Sequence, residues 1–531
     1  MLPSRGENHM PSTHENRSLS AADRSSLSAT RRIIITAALM VAMFLAAVEA
    51  TIVNAAMPTV VSALGGLSLY SWVFSAFMLA NTTTVPIYGK LADLYGRKRV
   101  FIVAVALFVG GSALCGLAGS MEQLVLFRII QGLGAGGVLP VALTIVGDIY
   151  PFEQRARIQG WFSSMWGLAA LIGPFAGGWT IDHFSWRWIF WFNLPFGLLV
   201  ITIVAAFLPN RKSDKRLRID IVGALLLMLS VFAFLFATQQ MGSLGWQAPA
   251  VWLLMILAAL LLLAFVLWER RESQPFLPVE LFKNRIIYSS NLTAFLTGIG
   301  MFGAISFVPL FVQSVLGKSA TLAGLAITPQ VLGWSTASVV AGRWMLKSGY
   351  RPPILTGVTL ISAAAALFIF MNAQTPYALV LGSMFILGLG LGLSMTSYIV
   401  AVQNAVDADR RGAATSSQMF ARTLGGAVGV TILGAVMITR LRAQIDSFLS
   451  SRQGSLDPET IRQLREAQGI THPEGLASLP EQVAGQVSQF LSQALDSTFF
   501  TAAALSLLAL ASAYFLVPGG NAKSLAAGKG D

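Results

Sequence analysis

Charge is what this sequence has least of. Only 11% of its 531 residues are charged, against 55% hydrophobic, whereas soluble domains carry about 25% charged residues. That scarcity excludes a soluble globular protein and implies a polytopic membrane protein. Cysteine occurs once, as Cys115 inside an apolar run, which excludes a disulfide framework and a cysteine-based metal site. The four histidines, His9, His14, His183 and His472, all lie away from the middle of an apolar run. Neither a metal centre nor a buried imidazole relay is therefore expected. A phosphate-binding loop is missing as well. Gly317-Lys318-Ser319 comes near, but the leading glycine would fall at 312, which is valine. ATP use is not expected, nor is any cofactor. The first thirty residues are polar and serine-rich, without an apolar core. They read as a disordered tail and not as a cleaved signal peptide.

What the chain does have is apolar length. A spanning helix needs about 20 apolar residues, and fourteen such runs can be counted. They lie at 33–57, 70–92, 99–119, 122–147, 158–181, 188–208, 219–240, 250–268, 286–315, 320–345, 353–372, 376–402, 412–438 and 494–517. The net charge of +12 could suggest nucleic acid, but the bases fall between the runs. Loops after even-numbered runs hold Lys90 to Arg99, Arg155 and Arg157, Arg211 to Arg218, Arg270 to Arg285, Arg343 to Arg351, and Arg410 and Arg411. Loops after odd-numbered runs are nearly free of bases until the last. This is positive-inside patterning, with both termini expected in the cytoplasm and no nucleic-acid partner.

The chain also repeats itself. Gly89 and Gly96 are seven apart, as are Gly342 and Gly349, at matching distances into blocks that begin near Ile33 and Ile286. Gln131-Gly132-Leu133-Gly134 is echoed by Leu387-Gly388-Leu389-Gly390. The expected fold is all-α and polytopic, fourteen transmembrane helices in a 6 + 2 + 6 plan. A tail over 1–32 is followed by a six-helix bundle over 33–208 and two extra helices over 209–285. A second six-helix bundle follows over 286–517, and a tail over 518–531. Within the second bundle, 440–493 reads as two amphipathic helices on the outer surface. They would cover the outer mouth or dock an external partner. The second copy has lost charge, since Asp93 corresponds to Leu346 and Glu49 to about Phe302.

Charges inside spans are functional suspects by default. Glu49 lies roughly 25 Å from the inner end of the first span and Arg128 roughly 10 Å from the outer end of the fourth, at 1.5 Å per residue. In a core about 30 Å thick these depths coincide. Contact is expected directly or through Gln131 or Asn54. It is either a permanent ion pair or a carboxylate that exchanges a proton under the influence of Arg128. Gly89-Lys90-Leu91-Ala92-Asp93-Leu94-Tyr95-Gly96-Arg97-Lys98-Arg99-Val100 reads as a tight basic loop, with Asp93 placed to meet the bases or another helix end. Arg422, the clear intramembrane charge of the second half, could meet substrate or serve packing beside Gly425, Gly426 and Gly429. Gly173, Pro174, Gly177 and Gly178 combine a kink with small residues that let helices touch.

Taken together these residues resemble the major facilitator superfamily, and within it the fourteen-helix drug:proton antiporter branch. Glu49 to Pro58 looks like the first-helix motif, with glutamate where aspartate is usual. Gly89, Asp93, Gly96 and Arg97 match the signature loop linked to conformational gating. Arg128, Gln131, Gly132 and Gly134 match the fourth-helix motif linked to proton coupling. Gly173, Pro174, Gly177 and Gly178 match the fifth-helix motif of exporters. Trp186 to Phe190 with Asn193-Leu194-Pro195 is also typical. The resemblance implies a multi-pass protein of the cell membrane that exports amphipathic or cationic small molecules against proton entry by alternating access, with Asn54, Gln131 and Arg422 able to touch substrate or gate. Alternatives are export of one endogenous lipid, siderophore or metabolite, or uptake symport. A membrane-embedded enzyme would need a paired nucleophile and base, which the spans lack.

Overall fold

The computed structural model describes residues 28–65, 69–209, 220–244, 248–272, 279–407, 410–451, 461–462 and 481–519. Among them the only regular structure is helical. The first half contains α1 (Ala29–Leu64), α2 (Tyr70–Tyr95), α3 (Arg97–Gly116), α4 (Met121–Ile149), α5 (Phe152–His183), a short α6 (Trp188–Trp191) and α7 (Asn193–Phe207). Next come α8 (Ile221–Leu244) and α9 (Pro249–Glu269). The second half holds α10 (Arg285–Ser314), a short α11 (Ala320–Leu325), α12 (Thr328–Ser348), α13 (Arg351–Ile369), α14 (Tyr377–Asn404), α15 (Arg411–Ser451) and α16 (Glu481–Leu516).

Helix covers most of each apolar run expected from the sequence, with 188–208 split between α6 and α7 and 320–345 split between α11 and α12. Local chemistry explains the ends. The Ser28, Ser120, Asn284 and Ser319 side chains accept hydrogen bonds from backbone N–H groups of the first helical turns, meeting donors that a helix start leaves open. Pro140 stands inside α4, and the Thr144 hydroxyl donates to its carbonyl, the back-bond to the carbonyl four residues earlier that a helical threonine commonly makes.

Eleven helices are long and apolar enough to cross a membrane among the described residues. The long helices α2, α5 and α12 fall short of that apolarity for a positional reason. Gly89 of α2 abuts Gly412 and Ser416 of α15, while Gly160 and Gly167 of α5 abut Val339 and Val331 of α12. These helices lie on the seam between the halves, where polar side chains such as Thr82 and Gln330 are buried by protein. By contrast α9 exposes Trp252, Leu253, Ile256, Leu260 and Leu263, an outward face suited only to hydrocarbon. With α8 it forms a hairpin over the seam. Leu227, Val231 and Phe265 pack with Leu79 of α2 and with Phe420 and Leu424 of α15.

Two local expectations change. The turn between the second and third runs is not a loop over 89–100. Helix α2 continues to Tyr95 and α3 starts at Arg97, so the reversal falls on Gly96 alone, at φ 88°. Only glycine adopts that angle at little cost. Its repeat counterpart Gly349 has φ 80°. In the 440–493 stretch, α15 runs straight on to Ser451, and the segment from Glu481 is the first part of α16. Val487, Leu491 and Ala494 belong to the core of the second half, and Phe490 meets Phe448 of α15 at 5.4 Å between ring centroids. The expected surface helix there is therefore the extension of a core helix, because its apolar face finds a partner helix. The middle of the stretch, 452–460 and 463–480, lies outside the described residues.

Candidate functional site

Two constellations stand out, one sealed inside the first half and one at the seam. The first centres on Glu49, 1% exposed, and Arg128, also 1% exposed. Helix α1 carries the acid and α4 the base, and Arg128 Nη1 lies 2.5 Å from Glu49 Oε1. The same nitrogen donates to Gln131 Oε1 at 2.9 Å, and Arg128 Nε donates to the Val73 carbonyl at 3.1 Å. The Phe77 ring of α2 stacks under the guanidinium, 4.1 Å from its carbon. On the far side, Asn193 Nδ2 donates to Glu49 Oε2 at 2.8 Å and to Ser112 Oγ at 2.9 Å. Ser112 in turn donates to the Phe190 carbonyl, and the Cys115 thiol to Gln131 Oε1.

Both carboxylate oxygens thus have donors, and a cation faces one of them. A buried pair of this kind is not itself a source of stability, but removing one member costs about 3–5 kcal/mol because the other is stranded. Chemically the site can hold a proton-exchangeable carboxylate out of water beside a fixed positive charge.

The geometry assembles Glu49, Arg128 and Gln131 as the sequence suggested. The contact is direct, while the Asn54 side chain lies outside the described ones. Asn193 and Cys115 were noted in the sequence without a place at this site, and Ser112 and Phe77 were not noted at all. Asn193 could have been found as an amide carried into an apolar run. Small residues make the approach possible, since any β-carbon on Gly132 would strike the Phe77 carbonyl and one on Gly134 would strike Phe108.

The second constellation is the signature turn. Asp93, at the end of α2, accepts from Gly412 N at 3.1 Å and Ala413 N at 2.9 Å. Those are the first amides of α15, so the carboxylate caps a helix of the opposite half, where the macrodipole favours an anion. Arg97 Nη2 lies 2.8 Å from Asp93 Oδ1, and Arg97 Nε lies 3.1 Å from Asp148 Oδ2. Asp148 reaches across the seam to Arg411 Nη1 at 3.4 Å. Arg155 donates to Asn404 Oδ1 and Gln403 to the Leu143 carbonyl. These hydrogen bonds join the two halves at this end. Asp148 was missed in the sequence, and Arg411 was read only as an orientation charge. Neither has a local signal, because the two are 263 residues apart in the chain.

The remaining expected residues are placed but not joined to either cluster. Gly173 and Gly177 are buried within a continuous α5, and the side chains at Pro174 and Gly178 are outside the description. Arg422 lies on α15, part-buried, with its Nη1 3.3 Å from Met395 Sδ. Among the described residues no group of histidine, cysteine, aspartate and glutamate side chains could hold a metal ion.

Comparisons with known proteins agree with this architecture. The chain is 35% identical to the multidrug transporter protein MdtP of Bacillus subtilis, covering 82% of this chain and 84% of that one. It is 32% identical to multidrug resistance protein 3 of the same species, covering 85% and 89%. Among solved structures, the human organic anion transporter MFSD10 superposes with a TM-score of 0.61 at 14% identity, covering 92% of this chain and all of that one. The proton:xylose symporter XylE gives 0.57 at 13% identity, covering 94% and 99%. These two show the shared fold. The family model of the Major Facilitator Superfamily matches residues 39–430, and the chain belongs to that family of membrane transporters.

Proposed function

We propose that this protein is a proton-coupled exporter of amphipathic or cationic small molecules, an antiporter of the multidrug efflux type. It crosses the cell membrane fourteen times, with both termini in the cytoplasm. Relatives named as multidrug transporters and as efflux pumps support export. The observation that carries the coupling is the sealed Glu49–Arg128 pair. Glu49 is held by Arg128 on one oxygen and Asn193 on the other, and these two partners belong to different helices. As the halves rock, shifts of α1 against α4 and α7 within the first half change the distance to Arg128 and the access of water. The carboxylate then takes a proton from the outer side and releases it to the inner side, and substrate leaves in exchange. No cofactor enters this cycle; the proton gradient is its energy source.

Asp93, Arg97, Asp148 and Arg411 hold the cytoplasmic end closed in the outward-facing state. Opening to the cytoplasm separates Asp93 from the start of α15. The test is dye transport by the full chain in vesicles with an imposed pH gradient, with drug-induced proton release measured across pH 6 to 9. Glu49→Gln is expected to bind dye but to lose its response to the gradient and its proton release. Wild-type proton release by that variant would move the carrier elsewhere.

A further inference from the structure

Every arginine of the two clusters just described has a carboxylate or a carbonyl for its guanidinium. Arg422 does not. It stands eleven residues into α15, about 16 Å along the helix at 1.5 Å per residue, near the depth at which paired-repeat transporters hold substrate. Its guanidinium touches a thioether, Met395 Sδ on α14, at 3.3 Å, and lies 5.9 Å from the Trp334 ring of α12. The ion pairs among the described residues join Arg97, Arg128 and Arg411 to acids, and none includes Arg422. An arginine offers five N–H donors, and a thioether is only a weak acceptor. A cation so poorly matched is costly in a membrane interior unless an anion or water completes it.

Polar groups wait beside it. Gln418, one turn earlier on α15 and 1% exposed, has both amide atoms without a hydrogen-bond partner. Gln330, one turn before Trp334 on α12 and 2% exposed, has an unpartnered Oε1.

Packing does not explain the arginine. Helix α15 meets α10 through glycines: a β-carbon on Gly425 or Gly429 would strike Phe295 or Ile299. The Arg422 backbone carbonyl faces Gly298 of α10, and its side chain leaves toward α12 and α14 instead. The helix contact would stand with a smaller residue at 422.

We infer that Arg422 is an anion subsite, which takes an oxyanion carried by an amphipathic solute. The guanidinium clamps the oxyanion in the forked geometry that suits carboxylate and phosphate. The Gln418 amide adds a donor, while Trp334 and Met395 receive the adjoining hydrocarbon. The inference rests on the exporter reading above and narrows its substrates to amphipathic molecules that bear a carboxylate, sulfonate or phosphate, zwitterions included. It requires no particular coupling ion.

The test is equilibrium binding without any gradient, so a failure of proton coupling leaves it readable. The purified full chain is titrated with rhodamine B, which carries a free carboxylate, and with its ethyl ester, which does not. Wild type is expected to bind the carboxylate dye about tenfold tighter, the scale of a hydrogen bond to a charged group. Arg422→Met should weaken the carboxylate dye alone and erase the difference, and Arg422→Lys should keep part of it. A second measurement needs no variant, for decanoate should displace rhodamine B from wild type where decanol does not. Repeating the titration in phosphatidylcholine vesicles with added phosphatidylglycerol separates two sources of the oxyanion. Displacement assigns the subsite to a lipid headgroup, and its absence assigns it to the solute. Equal binding of acid and ester by wild type, a preference that survives Arg422→Met, or equal competition by decanoate and decanol would overturn the inference.

Discussion

The two halves of this transporter share their packing and differ in their charge. Gly132 and Gly388 both press a backbone against a neighbouring carbonyl, Phe77 in the first half and Gln330 in the second. Gly134 and Gly390 repeat the device against the α3 and α13 backbones, and Gly136 and Gly392 against α2 and α12. Gly96 and Gly349 turn the chain with similar positive φ. Yet Glu49 is answered in the second half by about Phe302, and Asp93 by Leu346, which is 42% exposed. Small residues are dictated by how closely helices must approach, which both bundles share. Charges are dictated by what each bundle does, and a buried charge is too costly to keep where it has no task. The first half therefore holds a completed ion pair, and the second a single incomplete arginine.

The strongest way to break this asymmetry is at the completed pair. Arg128→Met strands Glu49 and should destabilise the protein by about 3–5 kcal/mol, seen as a lower midpoint in thermal melts of the purified chain. Pairing it with Glu49→Gln should recover much of that loss, since the stranded charge is gone. Additive losses in such a double-mutant cycle would show that the two groups do not act as a unit.

The contacts of Asp93 with the start of α15, a clasp between the halves, come next. Asp93→Asn replaces a charge-assisted cap by a neutral one, at about 1.5–3 kcal/mol for the hydrogen bonds concerned. Transport should fall sharply while membrane insertion is unchanged. The counterpart Leu346→Asn, on an exposed position, should leave dye export near wild type. Equal damage from both would mean that the two turns are functionally alike after all.

A milder change tests packing in the clasp. Any β-carbon on Gly412 would meet Gly89 and Asp93, so Gly412→Ala should cost about 1–3 kcal/mol by overpacking and slow export. Gly110→Ala in α3, where a β-carbon meets nothing within 4 Å, should be the smallest effect. It is expected to be neutral or to stabilise by up to about 1 kcal/mol, through lost chain entropy and better helix propensity. Thermal melts of both variants check the pair.

Much of the architecture was legible in the sequence. The apolar runs coincide with helices because hydrophobic length and loop charge are local properties, read without knowing any contact. Glu49 and Arg128 could be matched because helical rise turns residue count into depth. The turn at Gly96 was read too broadly, since a charged stretch looks like loop even when its residues continue a helix. The stretch from Glu481 was taken for a surface helix because an amphipathic face does not say whether lipid, water or another helix will cover it.

Sequence by itself determined the helical membrane class, the doubled plan and the depth at which a carboxylate and a guanidinium would face each other. Tertiary structure alone decided that Asn193 and Ser112 complete the Glu49 site. It alone seated Asp93 on the first amides of α15, and it alone left Arg422 against sulfur and an indole with no acid. The reason is geometric. A residue's depth follows from counting along one helix, but its partner depends on how helices rotate and pack, and those angles are set by many weak contacts among residues far apart in the chain.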